Sequence, residues 1–314
     1  MIAAALAALG CRVDPSSPLV GEVPLPGTDT DTGPIETDRV LDDDHLLVVP
    51  DGVGLTLVGA DHAIALASTW TELVGACDAC NGEGASDDGD GLLVSFTTSY
   101  QTGAIARVDP WSHAGFRVDG FLFPHDVVRD PIDGAIAVGE AFNHQIRWIA
   151  GDGSSDAPIR AIGAANPGWE DDDVNGLERI DVDGRTFLLE SMRGGNSPNG
   201  AIKLWDIGDP DALRLVWRFP ETGFLYAPHS PILRRRDDGW WLLYAHSAGT
   251  TSTSTVGVAR TDDPEVRPAY VADLIPEDPD PPFAFLRGVE LGDDGTLFLT
   301  DSGGGLGNPC LLYT

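Results

Sequence analysis

The stretch Pro124 to Ile149, PHDVVRDPIDGAIAVGEAFNHQIRWI, constrains the fold more than any other, because its pattern recurs along the chain. Val127-Val128 reads as a short apolar strand, Ile132-Asp133-Gly134 as a turn, and Ala135 to Val138 as a second strand. Asn143-His144 then turns the chain into a third strand at Ile146 to Ile149. A turn of this kind followed at once by an apolar strand recurs at Asp44, Gly89, Gly134, Gly184, Gly239 and Gly295, in steps of 45, 45, 50, 55 and 56 residues. After five of these strands comes another short apolar one, from Leu55, Ala104, Gln145, Ala201 and Thr255. A meander this short cannot bury both its faces alone, so its repetition implies copies stacked around an axis. The expectation is an all-β chain, a six-bladed β-propeller of four-stranded antiparallel blades over residues 41–314. Too little chain follows Thr300 for a full last blade, so an early segment such as Ile35 to Leu41 is expected to complete it and remove the exposed sheet edge.

Composition supports that fold and narrows the partners. The chain has 314 residues, 42% of them hydrophobic, with 38 Gly and 23 Pro, which suits a turn-rich all-β protein with a large core. Its formal net charge is −31, from 50 acidic and 19 basic residues, so no basic stripe is available to neutralise phosphates and nucleic acid is excluded as a partner. Much of the acid lies in loop runs at Asp42 to Asp44, Asp87-Asp88-Asp90, Glu170 to Asp173 and Glu277 to Asp280. These read as solvating charge. Carboxylate clusters are also hard-cation ligands, and Ca²⁺ is the one cofactor the composition leaves open.

The amino terminus, MIAAALAALGC, is a short apolar run of small residues, too short to span a bilayer, and is set apart from the fold as a targeting segment over residues 1–11. Its end, Gly10-Cys11, resembles the lipobox of bacterial lipoproteins, which implies lipidation at Cys11 and a lipid-anchored protein of the bacterial cell envelope, on the periplasmic or cell-surface side. Residues 12–40, with PLPGTDTDTGP, read as a flexible tether. The membrane is then met only through the anchor, and the propeller is expected to be a monomer. The remaining cysteines, Cys77, Cys80 and Cys310, allow a local Cys77–Cys80 disulfide or a bond from that pair to Cys310 across the ring closure.

Chemistry is expected where the innermost strands begin, since equal offsets in a radial repeat converge on the channel. Counting back eight to ten residues from each turn glycine gives Asn81, His125, Asn175, His229 and Arg287, all polar. Neutral imidazole is a competent nucleophile near pH 7, and a second histidine with an arginine can hold developing negative charge. His125 and His229 are therefore candidate nucleophile and partner, with Arg287 as anion clamp. Asn81, Asp126, Asn175, Glu178, His246 and Glu290 are the candidate ligand-binding residues, Glu178 or Glu290 also serving as a base. The plainer alternative for each is a hydrogen-bonded structural role, in which case the funnel binds a small molecule or a protein without catalysis.

Three resemblances bear on this. Pro124 to Ile149, and the half-copy GVELGDDGTLFLTDSGGG from Gly288, resemble NHL repeats, which build six-bladed propellers. Glu83-Gly84 and Asn175-Gly176-Leu177 resemble the metal-binding motifs of gluconolactonase-like lactonases. That likeness implies a metal held by Glu83 and Asn175 and a lactonase or esterase activity, although His125-Asp126 and His229 replace that family's Asn-Asp and metal-binding Asp. PHDV at His125, APHSP at His229 and YAHS at His246 resemble the inner-strand histidines of bacterial arylsulfotransferases, exported six-bladed propellers, which implies sulfuryl transfer through a central histidine.

Overall fold

The computed structural model describes residues 11–13, 45–50, 54–59, 64–75, 77, 80–89, 91–99, 101–109, 112–113, 115–163, 173–193, 200–223, 225–246, 254–274, 286–291, 297–301 and 310–313. Within these the protein is all-β, with antiparallel sheets of mostly four strands and one short helix. After a short β1 (Cys11–Val13), strands β2 (His45–Pro50), β3 (Gly54–Gly59) and β4 (Ile64–Thr69) form a three-stranded sheet. The helix α1 (Trp70–Val74) follows, started by Thr69, whose hydroxyl accepts from the Glu72 N–H while the Glu72 carboxylate accepts from the Thr69 N–H. The next meander is β5 (Asn81–Asp87), β6 (Leu92–Thr97), β7 (Gly103–Val108) and β8 (Gly115–Phe121). Then come β9 (Pro124–Arg129), β10 (Ile136–Glu140), β11 (Gln145–Ile149) and β12 (Arg160–Gly163). A further sheet holds β13 (Asp173–Val182), β14 (Arg185–Arg193), β15 (Ala201–Asp206) and β16 (Arg214–Phe219). The fifth holds β17 (Pro228–Arg236), β18 (Gly239–His246), β19 (Thr255–Thr261) and β20 (Ala269–Leu274). The last has β21 (Leu286–Leu291), β22 (Leu297–Asp301) and β23 (Cys310–Tyr313), with β1 laid parallel to β23 so that Cys11 stands opposite Cys310. The segment expected in that place, Ile35 to Leu41, lies outside the described residues.

The turn glycines do what the repeat requires of them. Gly89, Gly134 and Gly184 have φ of +81°, +73° and +79°, the left-handed region that only glycine enters without steric cost. Between turns the strands read as nearly unbroken apolar runs because a sheet such as that of β9 to β12 is covered on both faces. Ile136 and Val138 point to a core shared with Leu93, Ile105, Val118 and Phe121 of the preceding sheet, while Ala135 and Ala137 point to a core shared with Val174, Leu177, Leu188 and Trp205 of the following one. Two further cores repeat the arrangement, one around Leu204, Trp217, Leu233 and Tyr244 and one around Ile232, Leu243, Val258, Val289 and Leu299. Burying each such side chain stabilises the stack by roughly 1.5–3 kcal/mol, so no sheet is stable without its neighbours.

The first strands of successive sheets lie side by side: β2 on β5, β5 on β9, β9 on β13, β13 on β17 and β17 on β21. Carboxylates fasten them. Asp126 on β9 accepts from the Leu177 N–H of β13 at 2.9 Å, and Glu178 on β13 accepts from the Leu233 N–H of β17 at 2.9 Å. Hydroxyls do the same elsewhere, Ser86 donating to the Val127 carbonyl at 2.6 Å and Ser230 to the Arg287 carbonyl at 2.7 Å. Cys77 and Cys80 form the local disulfide, with Cα atoms 5.5 Å apart. Of the acidic runs, Asp88 is held by Arg107 and Arg129, at 2.5 and 2.6 Å.

Candidate functional site

Each of these first strands breaks register near its start. On β5 the pairing with β6 jumps from Gly82 to Gly84 and leaves Glu83 out. On β9 it jumps from Pro124 to Asp126 and leaves out His125, on β13 from Val174 to Gly176 past Asn175, and on β21 from Leu286 to Gly288 past Arg287. On β17 the break follows His229, where Ser230 and Pro231 face the single residue Tyr244. β2 breaks in the same way between His45 and Leu47. A bulge kinks the strand and re-aims the extra side chain out of the ladder. Glycine next to the bulge lets the strands close up. A Cβ on Gly84 would stand 2.7 Å from the His125 carbonyl oxygen and 2.5 Å from Asp126 Oδ1, and one on Gly176 would stand 2.8 Å from the Ser230 N. Gly84→Ala is therefore expected to destabilise the chain by about 1–3 kcal/mol and to displace His125. A thermal melt matching the native one would show that β5 and β9 are not this close.

The bulged residues meet. Arg287 Nη1 donates to Glu83 Oε2 at 2.5 Å, Asn81 Nδ2 to Glu83 Oε1 at 2.8 Å, and Thr97 Oγ1 to the same oxygen at 3.4 Å. His125 Nδ1 stands 3.9 Å from Glu83 Oε2. The imidazoles of His125 and His229 have centroids 6.0 Å apart although β13 separates their strands, so they lean together over Asn175, whose backbone is hydrogen-bonded to His229. Asn175 Nδ2 and Ser191 Oγ are buried beside them with no hydrogen-bond partner among the described residues. Burial and the positive charges of Arg287 and Arg193 push His125 down to about 3. Burial, His125 and the same two arginines push His229 well below its ordinary value. Both imidazoles are thus neutral at pH 7.

The other expected site residues are placed differently. Asn81 buttresses Glu83, and it is Glu83 that occupies the bulge. Asp126 is turned toward the neighbouring sheet, to the Val127 and Leu177 N–H groups, its carboxyl raised by burial to about 7 against the pull of those bonds. Glu178 and Glu290 share Arg234, whose Nη2 lies 2.8 Å from Glu290 Oε1 and whose Nη1 meets Glu178. Burial, with the Glu290 charge adding to it, raises Glu178 to about 7. His246 accepts from the Tyr226 N–H at 3.2 Å and so serves the loop that leads to His229. Arg193, Thr97 and Ser191 were not anticipated. A signal was there, since the second strands end in polar residues at the same level, Thr97, Glu140, Arg193, His246 and Asp301.

A cation does not fit this arrangement well. Among the described residues no group of three or more His, Cys, Asp and Glu side chains is placed to hold one, and Arg287 already sets a positive charge on the Glu83 carboxylate. Arg287 would have to leave before a metal could bind there.

Fold and site together define a β-propeller-like protein with a buried polar cluster at the head of the first strands of its sheets. The sequence matches no protein-family profile and no curated protein. Solved structures do resemble it. The major Malassezia sympodialis allergen Mala s 1 superposes with a TM-score of 0.58 at 12% identity, over 88% of this chain and 91% of that one. A luciferin-regenerating enzyme gives 0.53 at 15% identity, over 74% and 75% of the two chains. The periplasmic gluconolactonase PpgL of Pseudomonas aeruginosa gives 0.48 at 16% identity, over 73% and 67%. At such identities the likeness to the first two is one of fold. No helix among the described residues is long and apolar enough to cross a membrane.

Proposed function

We propose that the chain is a six-bladed β-propeller, exported and anchored through Cys11, that binds a small anion where Glu83, His125, Asn175, His229 and Arg287 meet. The observation that carries the reading is electrostatic. In a chain of net charge −31, both buried imidazoles feel two guanidinium groups, Arg287 and Arg193, and the Glu83 carboxylate stands 3.9 Å from His125. An entering anion completes that balance, and the buried Asn175 amide offers it a donor. Closure of the ring is supported by Arg287 of the last sheet reaching Glu83 of the second, and by β1 serving as the outer strand of the last sheet. Export is supported by the lipobox-like MIAAALAALGC and by the Cys77–Cys80 disulfide, a bond of oxidising compartments.

The test is a titration of the protein with acetate and with sulfate, followed through the imidazole C–H resonances. Saturable shifts of His125 and His229 with either anion, weakened by added salt, are expected. Two histidine signals indifferent to both anions would end the proposal. A second reading, hydrolysis of an ester or lactone, rests on the paired imidazoles themselves. One neutral ring would take a proton from water as the hydroxyl adds to the carbonyl, Arg287 and Asn175 holding the oxyanion, and the imidazolium would return the proton to the leaving oxygen. Turnover of an activated ester lost in both His125→Gln and His229→Gln would support it.

A further inference from the structure

We infer that the anion this site takes is an aromatic carboxylate, its ring lying against Phe123 and Phe142; the inference rests on the anion-binding reading above. Phe123 is half-buried and touches both the buried His125 and the more exposed Phe142. Its ring is 4.9 Å from that of His125 at 53° and 4.9 Å from that of Phe142 at 38°, offset geometries in which aromatic faces and edges attract. Phe142 belongs to the turn after β10, whose last residue, Glu140, pairs with Pro124, so this turn lies at the same end as the bulges, and Phe142 is 36% exposed. An unbroken aromatic path therefore runs from water to the His125 ring.

The approach to each histidine is built alike. Phe123-Pro124-His125 and Ala227-Pro228-His229 both place a residue with positive φ, +52° and +40°, two positions before the histidine. For a residue as bulky as phenylalanine this is an unfavourable conformation, held here by the Phe123 N–H donating to the Gln101 carbonyl and the Phe123 carbonyl accepting from the Ala141 N–H, both at 3.1 Å. One position earlier stands an exposed apolar side chain in each, Leu122 at 38% and Tyr226 at 49%. The chain thus leaves large apolar side chains exposed to water ahead of both histidines, while the Asn175 amide is buried and the Arg287 guanidinium, 33% exposed, is held on Glu83. A ligand matching both has a flat apolar body and a terminal anionic oxygen pair: the ring covers Phe142 and Phe123, and the carboxylate accepts from Asn175 Nδ2.

The experiment compares acetate, benzoate and benzyl alcohol by calorimetry and by the same imidazole resonances, on the native chain and on Phe142→Ala. Benzoate is expected to bind at least about tenfold more tightly than acetate, the worth of one well-packed aromatic contact, and Phe142→Ala is expected to remove most of that ratio. Equal affinities for acetate and benzoate would overturn the aromatic inference and leave the anion reading standing. So would a ratio that persists in Phe142→Ala, once a thermal melt has shown the variant folded. Binding of benzyl alcohol without either carboxylate would instead overturn the anion reading and this inference with it.

Discussion

Arg287→Met is expected to weaken anion binding by about ten- to a hundredfold, and to lower the stability of the empty protein as well. The first effect follows from losing a charged donor, worth about 1.5–3 kcal/mol per hydrogen bond. The second follows from Glu83, whose side chain is 2% exposed and is left with Asn81 and Thr97 but without its counter-charge. Breaking a fully buried pair costs about 3–5 kcal/mol, and since Arg287 is itself 33% exposed, water can repair part of the loss, so about 2–3 kcal/mol is the expectation. Urea unfolding of Arg287→Met and of the pair Arg287→Met with Glu83→Gln separates the two effects. Stability should return in the double variant while binding stays weak. A single variant as stable as the native chain would mean that Glu83 finds another cation.

Stability is expected to peak over a plateau from about pH 4 to 6.5 and to fall on either side, by several kcal/mol on the acid side. His125 moves from an ordinary 6.5 down to about 3, so it favours the folded state fully above 6.5 and progressively less as pH falls through the folded value. His229 acts in the same direction. Asp126, raised from 3.8 to about 7, does the opposite: it favours the folded state below 3.8 and loses that contribution as pH rises through 7. Glu178, raised from 4.5 to about 7, follows Asp126. The opposed contributions overlap between the two limits and cancel in part, which makes the plateau. Above it only the carboxyls still act, and below it only the imidazoles. Urea midpoints from pH 3 to 9 check this, and a double His125→Gln, His229→Gln variant should lose the acid limb alone. Stability climbing steadily to pH 8 would contradict the placement of Asp126. Repulsion within the −31 net charge also weakens the fold at high pH, but added salt suppresses that share and leaves the share of a buried carboxyl.

Much of the fold was legible because a repeat writes its period into the chain. Of the glycines that marked the turns, Gly89, Gly134, Gly184 and Gly239 have positive φ, and a strand such as Ile136–Glu140 lies where Asp133-Gly134 announced it. The level of the site was legible too, since His125, Asn175, His229 and Arg287 share an offset from their turns. A bulge, however, inserts one residue without changing composition or alternation. A count of eight to ten residues therefore reached Asn81 where the backbone presents Glu83. Which carboxylates join the cluster and which fasten neighbouring sheets was equally hidden, for Asp126 and Glu178 differ from the residues of the cluster only in which neighbouring N–H they meet. The strand that joins β23 was expected from 35–41 and is Cys11–Val13, three residues whose local sequence carries no strand signal.

A residue excluded from the ladder owes nothing to its neighbours in the ladder. At Glu83, His125, Asn175 and Arg287 the paired backbone on either side is complete without them, so a substitution there changes chemistry while leaving the hydrogen bonds of the sheet in place. Descendants of one repeat could in this way carry an acid, an imidazole, an amide and a guanidinium at the same address. Evolution, or a designer, can rewrite such positions one at a time, and the same scaffold could be turned toward a cation by exchanging Arg287 for a carboxylate without touching any strand that supports it.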